Sequence, residues 1–239
     1  MYVSLTIAKY SGIRSPMGFL SMALFRLFLY PDSRVLFYKL LGTGKNGTFD
    51  MKPDFFSWGL LATWKNKEDF DDFLRTSFIG KYWKLFSSEN WTILCQPLQS
   101  HGQWDGKKPF HSTSEQVSCE GPVAVLTRAT IRVSKLRAFW SNVGAVAEEM
   151  KRAEGFISSV GIGEVPFLKQ ATFSIWENQE SIDAFAYKKH AHRQVIKRTR
   201  AGQWYSEELF ARFVPVATYG TFPGSKLSFQ FSNNEVLNN

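Results

Sequence analysis

The fold is decided by residues 176–213, WENQESIDAFAYKKHAHRQVIKRTRAGQWYSEELFARF. A degenerate copy of the first part of this stretch occurs earlier, at residues 64–84, WKNKEDFDDFLRTSFIGKYWK. The matched positions are Trp64 with Trp176, Asn66 with Asn178, Glu68 with Glu180, Phe70 with Ile182, and Phe73 with Phe185. At the same spacing, Gly80 stands where the later copy has His192. The sequence therefore predicts one structural unit present twice, with a candidate ligand in the second copy alone.

The similarity extends beyond this helix. Residues 37–44, FYKLLGTG, resemble residues 156–163, FISSVGIG. Each copy is predicted to run strand, helix, strand, strand, helix, strand. The predicted segments of the first copy are Val3–Lys9, Met17–Tyr30, a strand ending at Gly44, Phe55–Trp64, Lys67–Phe86 and Ile93–Pro97; those of the second are Val123–Val133, Leu136–Ala153, a strand ending at Gly163, Leu168–Trp176, Gln179–Thr199 and Leu209–Val214. This order defines the split βαβ unit. We expect an α+β fold of two tandem ferredoxin-like (β-α-β-β-α-β) repeats forming an α+β barrel.

The predicted domains follow from the same pattern. Residues 1–97 form the N-terminal ferredoxin-like repeat, and residues 122–222 form the C-terminal repeat that carries the candidate site. Residues 98–121 are polar and lack hydrophobic periodicity, which is typical of a linker. Residues 223–239 are predicted to be a flexible tail.

The composition indicates a filled core and a basic surface. The chain of 239 residues contains 22 Phe and 8 Trp, which would suit a pocket for a large flat ligand; an aromatic-rich core is the alternative. The net charge is +8, and the densest basic cluster surrounds His192. Because no nucleic-acid-binding module accompanies that cluster, we expect no nucleic acid partner.

The cysteines and the first predicted helix bear on the cellular compartment of the protein. Cys95 and Cys119 lie in no CxxC or CxxCH context, and no signal-peptide pattern opens the chain, so we expect free or buried thiols in a reducing cytoplasm. The apolar segment Met17–Tyr30 contains Arg26 and is too short to span a bilayer. It is predicted to be an amphipathic helix, with peripheral membrane contact as an alternative.

The second helix of the second copy carries the candidate site. Asn178 is a plausible N-cap, and Glu180 places negative charge in the first turn. Steps of three or four residues place one face on Ile182, Phe185, Lys189, His192, Ile196 and Thr199. His192 would then point toward the core, whereas His190 would face solvent. Two functions remain open for His192: a hydrogen-bonded core histidine, or an axial ligand of haem iron beside an apolar slot.

Three blocks of the second copy carry a resemblance: LTRATIR at 126–132, GIGEVPFLKQATFSIW at 161–176, and FAYKKHAHRQVIKRTRAGQWYSEELFARF at 185–213. They are similar to the spheroidene monooxygenase family of carotenoid biosynthesis, which resembles the dimeric α+β-barrel proteins. The resemblance implies haem b as the cofactor and oxidation of an allylic methylene of an acyclic carotenoid toward a ketone. The family's AHR motif falls on residues 191–193, so the role of haem iron ligand would pass to His192. The chain departs from the family pattern with Lys188, Lys189 and His190, which makes His190 the reserve ligand.

Further roles follow from this resemblance. Arg193, Arg198 and Arg200 would pair with the haem propionates, because guanidinium groups suit carboxylates. Phe185, Trp204 and Tyr205 would line or close the cofactor pocket. The oxygen-polarising residue on the distal side would be Arg128, or Arg132 on the same strand face.

The function expected from the sequence is a haem-dependent oxygenase that acts on an apolar substrate with dioxygen. Since no segment resembles a flavin or iron–sulfur domain, electrons would come from an external donor. One alternative is a haem-dependent dioxygenase, peroxidase or dehydratase of a small molecule on the same scaffold, since fold alone does not select the chemistry. Another is a non-enzymatic haem- or lipid-binding protein. A homodimer is a further expectation.

Overall fold

The structure is a computed structural model, and it describes residues 1–45, 52–111, 121–188 and 202–220, without the side chains of residues 187 and 188. The strands are β1 Tyr2–Lys9, β2 Val35–Gly44, β3 Pro53–Trp64, β4 Glu89–Gly102, β5 Val123–Ile131, β6 Phe156–Val165, β7 Lys169–Trp176 and β8 Tyr205–Gly220. The helices are α1 Ser15–Leu29, α2 Lys67–Thr76, α3 Phe78–Phe86, α4 Leu136–Lys151 and α5 Gln179–Asp183. The expectation of a mixed α+β fold is confirmed.

The strands form one closed antiparallel barrel with the order β1-β3-β2-β6-β7-β5-β8-β4. The chain divides into two compact units, the first built from residues 1–43, 54–97 and 215–239, the second from residues 44–53 and 98–214. In each unit a central strand, β1 or β5, is hydrogen-bonded on both sides. A barrel is therefore confirmed, whereas tandem ferredoxin-like repeats and their boundaries stay a prediction.

Both units begin their second helical segment in the same way. Asn66 Oδ1 accepts a hydrogen bond of 2.8 Å from the backbone N–H of Asp69, and Asn178 Oδ1 accepts one of 2.9 Å from that of Ser181. These bonds satisfy amide groups that the first turn of a helix leaves without partners. The prediction that Asn178 is an N-cap is confirmed.

The predicted single helix from Lys67 to Phe86 is wrong, because the chain breaks it into α2 and α3 at Ser77. Ser77 has an extended backbone, and its Oγ caps α3 by accepting from the N–H of Gly80 at 3.0 Å. A Cβ atom at Gly80 would lie 1.9 Å from the carbonyl oxygen of Leu74, so the turn between the two helices requires glycine there.

The corresponding helix of the second unit also departs from regular α-helix within its described part. It is α-helical as α5 and continues as a π-helical turn over Ala184–Lys188. A π turn contains more residues than an α-helical turn, so the regular spacing from Phe185 to His192 does not follow from this geometry. Residues 189–201, which include His190, His192, Arg193, Arg198 and Arg200, lie outside the described residues.

The stretch predicted to be a linker begins as part of a strand. Strand β4 continues to Gly102, beyond the expected end at Pro97, and the side chains of Trp104 and Phe110 are buried. Cys95 is a free thiol, and it stays protonated because burial raises its pKa. Within the described ranges, no helix is both long and apolar enough to cross a membrane.

Candidate functional site

The candidate site lies on the helix-covered face of β5 in the second unit. Alternate residues of a strand point to opposite faces, so Val123, Val125, Thr127, Ala129 and Ile131 share one face. Val123 and Val125 contact a cluster of buried side chains from α4 and α5, which identifies this face as the covered one. Arg128 points to the other face.

One position on this covered face is open. Thr127 is exposed, although Val125 and Ala129, its neighbours on the same face, are only 6% and 8% exposed. In the strand register, Thr127 lies opposite Thr172 of β7 and Phe210 of β8. Thr172 Oγ1 is buried and has no hydrogen-bond partner among the described residues. We call these three side chains the Thr127 strip.

The first unit has a threonine at the position that matches Thr127, and there the side chain is buried. Trp64 pairs with Tyr2 as Trp176 pairs with Val123, and four residues further along each central strand stand Thr6 and Thr127. Thr6 is 2% exposed, and its hydroxyl is hydrogen-bonded to that of Thr92 at 2.8 Å. The exposure of Thr127 is therefore specific to the second unit, and the matching position of the first unit does not share it.

Two apolar clusters lie along the covered face, one on each side of Thr127, and Phe210 of the strip packs against the first of them. One contains Phe185, whose ring centroid lies 5.2 Å from that of Trp176. The other contains buried Trp204 and Phe139, with half-buried Tyr205 packed against it. The structure therefore places Phe185 apart from Trp204 and Tyr205, on opposite sides of Thr127 along β5.

The strip has polar groups at its β8 edge. The ring of His101, at the end of β4, stacks on Phe210 with a centroid distance of 5.1 Å. The guanidinium of Arg212 lies 5.4 Å from the Phe210 ring centroid, and its Nη2 is 3.2 Å from Asp183 Oδ1. Arg212 Nε has no hydrogen-bond partner among the described residues, so this cation retains a donor for an anionic group.

Arg128 lies on the opposite face of β5 and is 1% exposed. Its Nη1 donates to Glu207, and its Nη2 lies 3.5 Å from Glu164 and 3.6 Å from Asp105. Lys169 is bound to Asp105 at 2.7 Å, so the cluster holds three carboxylates for two cations. The positive charge of Arg128 is therefore compensated, and its side chain does not share a face with Phe185 or Trp204.

A two-residue hairpin covers this charged cluster. Trp104 and Lys107 exchange backbone hydrogen bonds, and Asp105 and Gly106 between them both have positive φ, as a type I′ turn requires. The N–H groups of Asp105 and Gly106 donate to the Glu207 carboxylate at 3.0 and 2.8 Å. Partial burial raises the pKa of Glu207, but these two N–H groups and Arg128 outweigh it and lower the pKa overall.

The other predicted distal residue, Arg132, follows the end of β5. Its side chain is exposed, and its Nε donates to the carbonyl oxygen of Tyr205 at 3.2 Å.

Sequence reasoning missed several residues that the structure brings together. The Asp105-Gly106 pair is a hairpin signal that the polar linker concealed. The exposure of Thr127 and the contacts of His101 and Arg212 carry no local signal, because they depend on strand register between distant segments. No group of three or more potential metal ligands of the His, Cys, Asp and Glu types occurs in the part of the chain that the structure describes.

No family model matches this chain. Curated relatives do match it over most of its length. The spheroidene monooxygenase of Rhodobacter capsulatus is 36% identical over 225 residues, which cover 92% of this chain and 92% of the relative. The chain belongs to the spheroidene monooxygenase family. The enzymes of the same name from Cereibacter sphaeroides and Rubrivivax gelatinosus are 34% and 36% identical, over 93% and 80% of this chain and 69% and 72% of theirs.

Membership in the spheroidene monooxygenase family confirms the resemblance found in the sequence and identifies the enzyme class as monooxygenase. Among solved structures, aldoxime dehydratase matches with a TM-score of 0.56 and 10% identity, over 90% of this chain and 81% of that chain. A complex of aldoxime dehydratase with butyraldoxime gives a TM-score of 0.58 and 9% identity, over 90% of this chain and 79% of that chain. At these identities the likeness shows a shared fold alone.

Proposed function

We propose that this monooxygenase transfers oxygen from dioxygen to an acyclic carotenoid and uses haem b bound over the Thr127 strip, with His192 as the iron ligand. The names of its relatives support the substrate. The observation that carries the location is an exposed Thr127 on a strand that is hydrogen-bonded on both sides. Position 192 follows α5 in sequence, and α5 packs on the same covered face.

The described residues fit a large flat ligand. The Thr127 strip has the exposed, small side chain of Thr127 at its centre. Beside it lies Thr172, whose hydroxyl has no hydrogen-bond partner among the described residues. The aromatic clusters around Phe185 and Trp204 would exclude water on the two sides of Thr127. A buried polar atom without a partner is costly, and a bound ligand would remove that cost.

When bound, haem would supply an iron centre that activates dioxygen. The chain's own contributions are binding and orientation. Arg212 would attract a propionate through its unused Nε, together with Arg193, Arg198 and Arg200. We do not assign an oxygen-polarising role to Arg128, because its charge is neutralised by carboxylates on the opposite face of β5.

The stoichiometry requires an electron donor. Insertion of one oxygen atom into a C–H bond converts the second oxygen atom of dioxygen to water and consumes two electrons and two protons. Two insertions at one allylic carbon give a geminal diol, which loses water to form the ketone. We expect the electrons to come from a separate reductase.

An absorption spectrum of the purified protein, oxidised and then reduced under carbon monoxide, tests the cofactor. We expect a Soret band that His192→Ala abolishes and that His190→Ala and His101→Ala retain. Loss of the band in His190→Ala alone would move the ligand to the reserve position. The absence of haem from correctly folded protein supplied with haem would overturn the proposed cofactor.

Turnover tests the substrate separately. The haem-loaded protein, with a chemical reductant and dioxygen, should convert spheroidene to hydroxylated and ketone products that mass spectrometry detects. A protein that binds haem but leaves every acyclic carotenoid unchanged would retain the cofactor assignment and overturn the reaction.

A further inference from the structure

We propose that one surface of the first unit docks on an anionic lipid bilayer. This surface, the α1–α3 face, consists of exposed apolar side chains surrounded by basic ones: Phe19, Leu20, Leu27, Phe28, Phe78 and Leu85, with Arg26, Lys81 and Lys84. The proposal does not depend on haem or on the reaction.

Helix α1 buries one side and exposes apolar residues on the other. Gly18, Ser21, Phe25 and Leu29 are its buried residues, at helical spacing. On the exposed side Phe19 is 72% and Leu27 is 68% accessible to solvent. Large exposed apolar patches are uncommon on monomeric soluble proteins and mark protein or membrane contacts.

Helix α3 extends the same surface. The rings of Phe28 and Phe78 stack at a centroid distance of 4.0 Å, and both remain exposed. The two helices are fixed to each other, since Tyr82 Oη donates to the carbonyl oxygen of Met17 at 2.8 Å and Phe25 packs edge-on against Tyr82 and Trp83. The patch is therefore a preformed surface across two helices.

The charge of this surface selects an anionic partner. Residues 1–31 contain no Asp or Glu, and neither do residues 73–88, so α1 and α3 carry no carboxylate. Arg26 and Lys81 are exposed on the two helices. Apolar side chains combined with basic ones on a helix that lies flat are typical of contact with anionic headgroups.

A second copy of the chain fits this face less well. A two-fold interface brings the same patch of both protomers together. The basic residues of α1 and α3 would then face each other with no carboxylate from either helix to compensate them, which is unfavourable. A bilayer of anionic lipids supplies both the apolar phase and the negative charge.

Co-sedimentation with vesicles tests the proposal. The full-length protein should bind vesicles of phosphatidylcholine with phosphatidylglycerol more tightly than vesicles of phosphatidylcholine alone, and high salt should weaken the difference. Phe19→Ser combined with Leu27→Ser should lower the partition coefficient at least about tenfold, because two large apolar side chains leave the lipid. The matched control, Val133→Ser with Val165→Ser, removes exposed apolar side chains from the second unit and should bind like the original protein.

The charge contribution has its own pair of variants. Arg26→Gln with Lys81→Gln should lower binding to the anionic vesicles about thirtyfold, since each basic residue near the surface contributes about 1 kcal/mol. Its control, Arg137→Gln with Arg152→Gln, makes the same charge change at exposed positions of the second unit and should leave binding unchanged. Circular dichroism would verify that every variant is folded.

A fluorescent label reports which surface enters the lipid. In a Cys119→Ser background, an environment-sensitive dye on Leu27→Cys should shift its emission to the blue on vesicles, whereas a dye on Ala145→Cys should not. Equal shifts at both positions, or unchanged binding in the Phe19 and Leu27 double variant, would overturn the proposal. So would a protein that ignores vesicles and instead forms a dimer that the same double variant dissociates in sedimentation velocity.

Discussion

Thr6 and Thr127 occupy matching positions on the central strands of the two units, and their surroundings differ completely. Thr6 is buried and shares a hydrogen bond with Thr92, whereas Thr127 is exposed beside Thr172 and Phe210. The same residue type at the same register therefore serves as core in one unit and as the open centre of a strip in the other. The difference teaches that residue type and strand register alone do not determine whether this position is buried.

The first helices of the two units, α1 and α4, differ in the kind of side chain that they expose to solvent. Helix α1 exposes Phe19 and Leu27, whereas α4 exposes Arg137, Ser141 and Glu148 among small residues. The first unit thus closes its central strand and offers an apolar surface to the outside. The second unit has an ordinary polar helix and an open covered face.

The largest expected effect comes from replacing Arg128 of β5 by isoleucine. Arg128 lies on the face of β5 opposite Thr127, and the residue at the matching position of β1 is Ile7. Arg128→Ile should lower the free energy of unfolding by about 3–5 kcal/mol, because it leaves the carboxylates of Glu207 and Glu164 without their buried cation. Urea denaturation would measure the loss.

The control is Arg132→Gln, which changes an exposed arginine just beyond the same strand. It should change the free energy of unfolding by no more than about 0.5 kcal/mol. Adding Glu207→Gln to Arg128→Ile should recover part of the stability, since one uncompensated charge is removed. An Arg128→Ile variant as stable as the original chain would show that the charged cluster contributes nothing to the second unit.

An intermediate effect distinguishes the two threonines directly. Thr6→Val should cost about 1–3 kcal/mol, because it leaves the buried hydroxyl of Thr92 without its partner. Thr127→Val should change the free energy of unfolding by less than about 0.5 kcal/mol, as is usual for an exposed position. Equal losses in thermal denaturation would contradict the contrast between a closed and an open position.

The smallest effect is a pH dependence confined to the second unit. Although burial raises it, the pKa of Glu207 is lowered overall by the N–H groups of Gly106 and Asp105 and by Arg128. Its stabilising contribution is therefore complete above the ordinary carboxyl pKa and is lost as the pH falls through the lowered value.

The free energy of unfolding, followed from about pH 6 to pH 3, should fall less steeply in Glu207→Gln than in the original chain. Glu208→Gln, one residue along the strand and exposed, is the control and should keep the original slope. Identical slopes for the two variants would contradict the pKa shift.

Local signals in the sequence predicted much of the fold. Trp64 and Trp176 with Asn66 and Asn178 indicated where the second helical segment starts in both copies; the structure confirms the predicted cap Asn178 and shows that Asn66 caps in the same way. These signals are readable because an N-cap bonds to an amide three residues away. The break at Ser77 also had local causes, but an apolar helical spacing that continued past it concealed them.

The candidate site was only partly predictable, because its determinants are non-local. Nothing near Arg128 in sequence indicates that Glu164 and Glu207 will neutralise it; strand pairing brings them together. Likewise, Phe185 and Trp204 are buried, but only the register shows that the exposed Thr127 lies between their clusters; their role in binding a cofactor stays a prediction. The assignment of His192 stays a prediction, since residues 189–201 lie outside the described part of the chain.

Gly80 limits how this protein can evolve. The backbone of Leu74 occupies the space that any β-carbon at position 80 would need, so a histidine there would demand a rebuilt corner between α2 and α3. A single substitution therefore cannot place a histidine at position 80, which matches His192 in the sequence, without moving the main chain. Main-chain geometry thus maintains this difference in sequence between the two halves.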